Sequence, residues 1–291
     1  MNAPHTWKAW IPVLVIPMVG LVLSWCAGGT RLVGVCIVAF SMQAAAGFVA
    51  VPARDERAYD AVGTLTYLTV VVMALCMAEQ WTPRSWVLAV CVTLWALRLG
   101  SFLVRRMMRE GGDGRFDELK TSPPRFAMVW ALQGLWVTLT SLAATWGILS
   151  GMGNPDSSWE WAALMVGAGV WMTGMLLELV ADLQKESFRA RAKNAGRFIR
   201  TGLWAWSRHP NYVGEMLLWF GIYLMVLPAL EGMSHIVLIS PIFVVVLLRF
   251  ISGVPLLEAR ADARWGDDPA YQAYKARTPL LIGIPGRGRS T

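Results

Sequence analysis

Eight apolar runs of about 20 residues punctuate the chain, at 9–28, 32–51, 62–80, 85–104, 126–150, 160–181, 212–230 and 235–252. A helix of about 20 residues, rising about 1.5 Å per residue, crosses the ~30 Å hydrocarbon layer of a bilayer. Each run therefore predicts a transmembrane helix. Membrane barrel strands are shorter and alternate apolar with polar positions, so a β-barrel is excluded. Arg31 alone separates the first two runs and a short stretch separates the last two, which leaves seven to eight spans. The predicted fold is all-α, a polytopic membrane helix bundle with cytoplasmic loops and a C-terminal amphipathic helix, forming one integral membrane domain over 1–291. No small-residue cleavage site follows the first run, which is read as a retained helix and not a signal peptide. Neither an internal repeat nor a low-complexity tract is visible.

Composition narrows the class further. Of 291 residues, 56% are hydrophobic and only 15% charged, where a soluble domain carries about 25% charged residues. The 16 tryptophans point the same way, because indoles concentrate at membrane interfaces. Disordered, disulfide-rich secreted and soluble nucleic-acid-binding proteins are excluded. Cys26, Cys36, Cys76 and Cys91 lie inside apolar runs without CxxC or Cys/His spacing; they read as buried free thiols, with no metal site implied.

Charge sets the expected orientation. Residues 105–125 hold six Lys and Arg, 182–211 hold seven, and 253–291 hold six, whereas 151–159 and 231–234 hold none. Basic loops stay in the cytoplasm, so these three segments, with both termini if there are eight spans, are expected on that side, as in a bacterial inner membrane. Attraction to anionic lipids alone is the competing explanation for much of the same excess.

Ionisable groups within spans are costly and are functional candidates by default. Glu178, Glu215 and Arg249 share a depth near the cytoplasmic side and are expected to line one polar cavity, or else to pair with one another. Glu79, beside Gln80, reads as interfacial. The densest chemistry runs from Trp204 through Arg208, His209, Pro210, Asn211 and Tyr212 to Glu215. Pro210 fits the first turn of a helix, and Asn211 and Glu215, four apart, share a face. Arg208 and His209 precede that helix, where phosphate is favoured. Lys185 and Arg189, one turn apart beyond Glu178 and Asp182, are suited to clamp a phosphate or to snorkel. Downstream, Glu258, Trp265, Tyr271 and Tyr274 precede Thr278-Pro279 and read as a charged amphipathic helix whose aromatic residues either pack or stack on a base. His5, His209 and His235 do not cluster, and neither a GxGxxG nor a Walker motif occurs.

Ser207-Arg-His-Pro-Asn-Tyr-Val-Gly-Glu215, with Asp182-x-Gln-Lys185, Phe188-Arg189, Glu258, Tyr271-x-x-Tyr274 and Thr278-Pro279, resembles the DUF1295 membrane proteins. That group is similar to the carboxy-terminal domain of steroid 5-alpha-reductases and, more distantly, to sterol C14 reductases. The resemblance is strong over 178–285 and continues weakly through Trp95-Ala-Leu-Arg98 and Arg54-Asp55…Tyr59-Asp60. It implies NADPH bound by 178–285 and a lipophilic enone or sterol enclosed mainly by helices of 1–177. Asn211, Tyr212 and Glu215 become implied cofactor contacts, as do Asp182 and Arg249. The Gln-Glu pair by which steroid reductases polarise the substrate carbonyl is missing, and Trp95 stands near the place of their tyrosine. Asp60, with Tyr59 or Tyr67, is the expected substitute.

The leading expectation is an NADPH-dependent reductase of a conjugated C=C bond in a lipophilic substrate, which enters from the bilayer. The implied catalytic groups are Glu215, Asp60 and Tyr67. The implied cofactor contacts are Glu178, Asp182, Lys185, Arg189, Trp204, Arg208, His209, Asn211, Tyr212, Glu215, Arg249, Glu258 and Tyr274. The expected partners are that substrate and membrane lipids, with no nucleic acid and no obligate protein. The competing expectation is a membrane methyltransferase using S-adenosylmethionine, of the isoprenylcysteine or phospholipid type, which shares the Arg-His-Pro turn. A lipid-binding scaffold that takes neither nucleotide is the third class.

Overall fold

A computed structural model describes residues 6–151 and 157–282, and among them the regular elements are all helical. His5 and the chain after 282, basic residues of the tail included, lie outside the described residues. Seven helices are long and apolar enough to cross a membrane. The first has 47 residues, Trp7–Ala53, and would be about 70 Å long if straight, over twice the hydrocarbon thickness. It is folded double. Helix α1 (Ile11–Ala53) loses helical geometry at Gly28 (φ −166°) and Gly29 (φ 64°, ψ −149°), the second a conformation natural only to glycine. A Cβ on Gly20 would stand 2.8 Å from the Phe40 ring and 3.3 Å from Cys36 Sγ. Residues so far apart in sequence meet only if the two halves of α1 run antiparallel. Among the described residues the seven apolar helices thus include one, α1, whose two halves match the first two apolar runs separately.

Contacts divide the chain into two compact units, Met1–Met165 with Ile222–Ser240 and Val166–Gly221 with Pro241–Thr291. The border drawn from the motifs at 177/178 falls inside the second.

In the first unit, α1 packs on α2 (Tyr59–Met77) and α4 (Pro123–Leu149), and α3 (Pro83–Glu110) packs on α2 and α4. Helix α4 is central, and residues 137–149 are all buried. Three of its hydroxyls turn back on their own helix, Thr138 to the Gly134 carbonyl (2.8 Å), Ser141 to Val137 (2.6 Å) and Thr145 to Ser141 (3.0 Å). No hydrogen-bonding group needs to face lipid for them. At one end Arg31 pairs with Glu79 and reaches the Leu149 carbonyl at 3.4 Å.

At the other end, Arg106, Arg115 and Lys120 of the basic segment 105–125 are paired with carboxylates, while Arg105 and Arg125 are exposed. Lys120 Nζ lies 2.8 Å from Glu56, which is 3% exposed, and Asp113 N–H donates to the same carboxylate. Asp113 accepts from Arg115 Nε (2.7 Å) and Arg106 (3.2 Å). Burial pushes the Glu56 carboxyl up, but the Lys120 and Asp113 donors outweigh it and hold it below its ordinary value. Lys120 and the Asp113 N–H thus tie the loop to Glu56 in the 54–58 turn.

In the second unit, the parts of α5 (Ser158–Ala190) and α6 (Pro210–Val226) that lie within Val166–Gly221 touch backbone to backbone. A Cβ on Gly174 would meet the Gly214 carbonyl at 2.5 Å, and one on Gly214 would meet Glu178 N at 2.6 Å. Seven residues along each helix, Gly221 repeats the contact at Gly167 and Trp171. This register sets Glu178 against the first turns of α6. Gly214→Ala must push the helices apart; overpacking costs about 1–3 kcal/mol. A lowered melting temperature in detergent, with unchanged helix content, is the expected result.

The last crossing is irregular. A 3-10 stretch (Gly232–Leu238) leads into α7 (Ile239–Val246) and a π-helical turn (Leu247–Ile251) that carries Arg249. The segment after Gly253 is two helices where one amphipathic helix was expected, α8 (Val254–Trp265) and α9 (Pro269–Arg277). Asp268 causes the break by capping Ala270 N–H at 2.8 Å, with Pro269 opening the new helix. All four cysteines are free, but only Cys36 and Cys91 are buried; Cys76, in the last turn of α2, is exposed, against the expectation of four buried thiols.

Candidate functional site

The second unit builds a site around the turn that enters α6. Gly202 (φ 63°) lets the chain reverse against Gln184, whose Oε1 accepts from Leu203 N–H at 2.9 Å. Trp204 then drops inward, 4% exposed, and donates its Nε1–H to the Ala181 carbonyl at 3.0 Å. Lys185 Nζ sits 4.5 Å from the centre of the Trp204 ring, within cation–π range. Tyr274 Oη donates to the Trp204 carbonyl (2.7 Å), and Arg208 N–H donates to the Pro279 carbonyl (2.9 Å). The strand-like tail of α9 is therefore strapped across the turn. Trp204 and Tyr274 act as packing keystones, and Tyr274, Tyr271 and Trp265 enclose Phe198. The packing reading of that aromatic stripe is the one the geometry supports.

Glu258 organises the polar centre. Its carboxylate receives Arg208 Nη1 on one oxygen and faces His209 Nε2 at 2.8 Å on the other. A carboxylate accepts only, so Nε2 carries the proton and Nδ1 presents a lone pair. The imidazole is 5% exposed and lies parallel to the Tyr212 ring, with centroids 5.6 Å apart. Burial lowers the His209 pKa from 6.5, and Glu258 only partly opposes that. The ring is thus neutral near pH 7.

Three buried polar atoms here have no hydrogen-bond partner: His209 Nδ1, Asn211 Oδ1 and Arg208 Nε. Two are acceptors and one is a donor, where the sequence pointed to two phosphate donors. Native structures rarely leave such atoms unpaired, and their grouping on 208–211 marks a place for a polar ligand. Glu178, Asp182 and Glu215 are buried nearby in sequence on α5 and α6, at 3%, 9% and 6% exposure. Lys185 is half-buried and Arg189 exposed on the next turns of α5, and Arg249 is half-buried with its guanidinium 5.1 Å from the Phe250 ring.

Asp60 and Tyr67 belong to the first unit. Asp60, in the first turn of α2, has its carboxylate 4.0 Å from Arg106. Tyr67, two turns deeper on the same face, is 7% exposed and meets the Trp95 ring edge-on at 5.0 Å. Tyr59 donates to the Val129 carbonyl at 3.3 Å and packs between Phe116 and Trp130. Motif reading did not single out Gln184, although it stands within Asp182-x-Gln-Lys185. Nor did it find Asp262, which accepts from Tyr271 (2.9 Å) and pairs with Lys275.

Acidification provides a check on His209. Above its ordinary value of 6.5 the ring is neutral in folded and unfolded chains alike. As pH falls below that value, the unfolded chain takes up a proton that the buried ring resists, so stability falls. His209→Asn is expected to flatten this part of the pH–stability profile between about pH 7 and 5, measured by thermal unfolding.

Comparison with known proteins gives the family. The profile of the family described as protein of unknown function (DUF1295) matches residues 48–278. An uncharacterized protein of Schizosaccharomyces pombe is 27% identical over 168 residues, covering 48% of each chain. The steroid 5-alpha-reductase DET2 of Arabidopsis thaliana is 28% identical over 101 residues, 30% of this chain and 38% of that one. The chain spans less than half the length of either curated relative it matches. No solved structure matches. With seven helices long and apolar enough to cross a membrane, the Arg208-His-Pro turn and a profile match that takes in most of its length, this multi-pass membrane protein belongs to the DUF1295 family.

Proposed function

We propose that the chain is an NADPH-dependent reductase of a conjugated C=C bond in a lipophilic, steroid-like substrate. The observation that carries this reading is the set of unpartnered atoms on 208–211, together with the similarity to a steroid 5-alpha-reductase. The residues present suit the cofactor. Asn211 Oδ1 and His209 Nδ1 would accept from ribose hydroxyls or a carboxamide, and Arg208 Nε, Lys185 and Arg189 supply positive donors for phosphate. NADPH, when bound, supplies a hydride. The protein's own part is to orient and to exclude water. Glu215, on the face of α6 shared with Asn211, holds the acceptor that fixes a ring face. Glu178, Asp182, Tyr212 and Arg249 complete the polar lining. Asp60 and Tyr67 are the groups assigned to hold a proton and stabilise charge developing on the substrate carbonyl oxygen. The basic loops face the cytoplasm, where NADPH is available.

Ribose hydroxyls occur in S-adenosylmethionine too, so the two nucleotides form the arms of the test. Equilibrium titration of the detergent-solubilised protein is expected to show binding of NADPH and none of S-adenosylmethionine. The reverse result would assign a methyltransferase, and binding of neither would leave a scaffold. Arg189→Ala is expected to weaken NADPH on the order of tenfold while sparing NADH, because a charge-assisted bond to the extra phosphate contributes about 1.5–3 kcal/mol. Equal losses for both nucleotides would remove Arg189 from that phosphate.

A further inference from the structure

The two long basic loops meet different fates. In 105–125, Arg106, Arg115 and Lys120 are consumed by Asp113, Glu56 and Asp60. In the second unit, Arg191, Lys193, Arg197, Arg200, Arg260 and Arg264 are all exposed, and among the described residues none has a carboxylate within ion-pair distance. The acidic groups around them are engaged elsewhere: Glu258 by Arg208 and His209, Asp262 by Lys275 and Tyr271, and Asp268 by the α9 N-terminus. Asp267 is exposed and makes no ion pair among the described residues.

These cations are not on a loose tail. Trp265 Nε1–H donates to the Gly196 carbonyl at 2.6 Å, and Asn194 returns the loop to α5 through the Phe188 carbonyl at 2.8 Å. Phe198 packs on Trp265 and Tyr271, with centroids 5.9 and 5.3 Å apart. The charges are thus displayed on a folded ledge that begins one residue after a membrane-crossing helix ends. The same unit exposes Trp206 (67%), Phe250 (64%) and Ile251 (59%), an indole and two apolar side chains of the kind that seat a protein in the headgroup layer.

We infer that the ledge formed by 191–200 and α8 docks on anionic phospholipid headgroups of the surrounding bilayer. The charge is of one sign, fixed in place and beside the membrane, and a row of headgroup phosphates is its complement. Each cation held near an anionic surface strengthens such contact about fivefold, and attraction fades beyond a Debye length of about 10 Å at 0.1 M salt. This reading goes beyond the reductase proposal and does not depend on it.

The test is amide hydrogen exchange of 191–200 in the full chain, reconstituted in nanodiscs of phosphatidylcholine alone or of phosphatidylcholine with phosphatidylglycerol. Exchange is expected to slow several-fold in the anionic discs and to recover at high salt. The triple variant R191E/K193E/R197E is expected to lose the protection, while R191K/R197K keeps it, since attraction to a charged surface needs no bidentate geometry. Thermal unfolding checks that both variants remain folded. Equal exchange in the two kinds of disc would overturn the proposal. So would equal protection in phosphatidylcholine discs on adding inorganic phosphate, which would assign the ledge to a soluble phosphate.

Discussion

Glu258→Gln is expected to lower the melting temperature and to weaken nucleotide binding together. The substitution keeps the shape of the side chain but removes the charge that Arg208 and His209 share. A hydrogen bond to a charged group contributes about 1.5–3 kcal/mol, and Arg208 and His209 would be left with buried, poorly matched polar atoms. His209 would also lose the acceptor that fixes its tautomer, so Nδ1 would no longer be held as a lone pair toward a ligand. Affinity for NADPH is expected to fall tenfold or more. Thermal unfolding and NADPH titration on one preparation measure both effects. An unchanged melting temperature would contradict the organising role of Glu258.

Glu215→Gln is expected to act on turnover instead. Glu215 stands one helical turn beyond Asn211, 6% exposed, on the first turns of α6. The variant keeps the volume and weakens the acceptor. If that acceptor orients the reacting ring, a misplacement of about 1 Å lowers the rate on the order of a hundredfold. Affinity and melting temperature should change little. If Glu215 serves only to hold spans together, the melting temperature falls and turnover per folded molecule survives. Single-turnover rates and thermal unfolding on the same sample separate the two outcomes.

Much of the fold was legible because a bilayer demands long apolar runs and the chain supplies eight of them. Arg31 between the first two runs left seven or eight spans open, and the double-back of α1 is set by the backbone of Gly28 and Gly29, which the apolar pattern alone does not mark. The two-helix ending was not legible, since Asp268-Pro269 is a short local signal inside an otherwise amphipathic stretch. The α5–α6 register was present in the sequence as glycines seven apart, but only contact geometry shows that those stripes face each other. Charge was the least legible feature. Loops 105–125 and 182–211 look alike as counts of Lys and Arg, yet Glu56, dozens of residues upstream, neutralises part of the first. Glu258 pairs with Arg208 and His209 across some fifty residues, so a motif read locally as phosphate donors becomes a set dominated by acceptors. Trp204 and Tyr274 read equally well as stacking plates or as keystones until their hydrogen bonds to Ala181 and to Trp204 are seen.

The most direct measurement follows the hydride itself. Purified protein in nanodiscs is given NADPH deuterated at nicotinamide C4 together with a steroid enone, and the lipid product is analysed by mass spectrometry and NMR. With both C4 positions deuterated, the expected result is deuterium on the carbon β to the carbonyl, in an amount equal to the NADPH oxidised and formed on the order of a hundredfold more slowly by Glu215→Gln. Absence of deuterium from the lipid across a panel of lipophilic enones, with a methyl group transferred from S-adenosylmethionine to a lipid instead, would contradict the reductase reading.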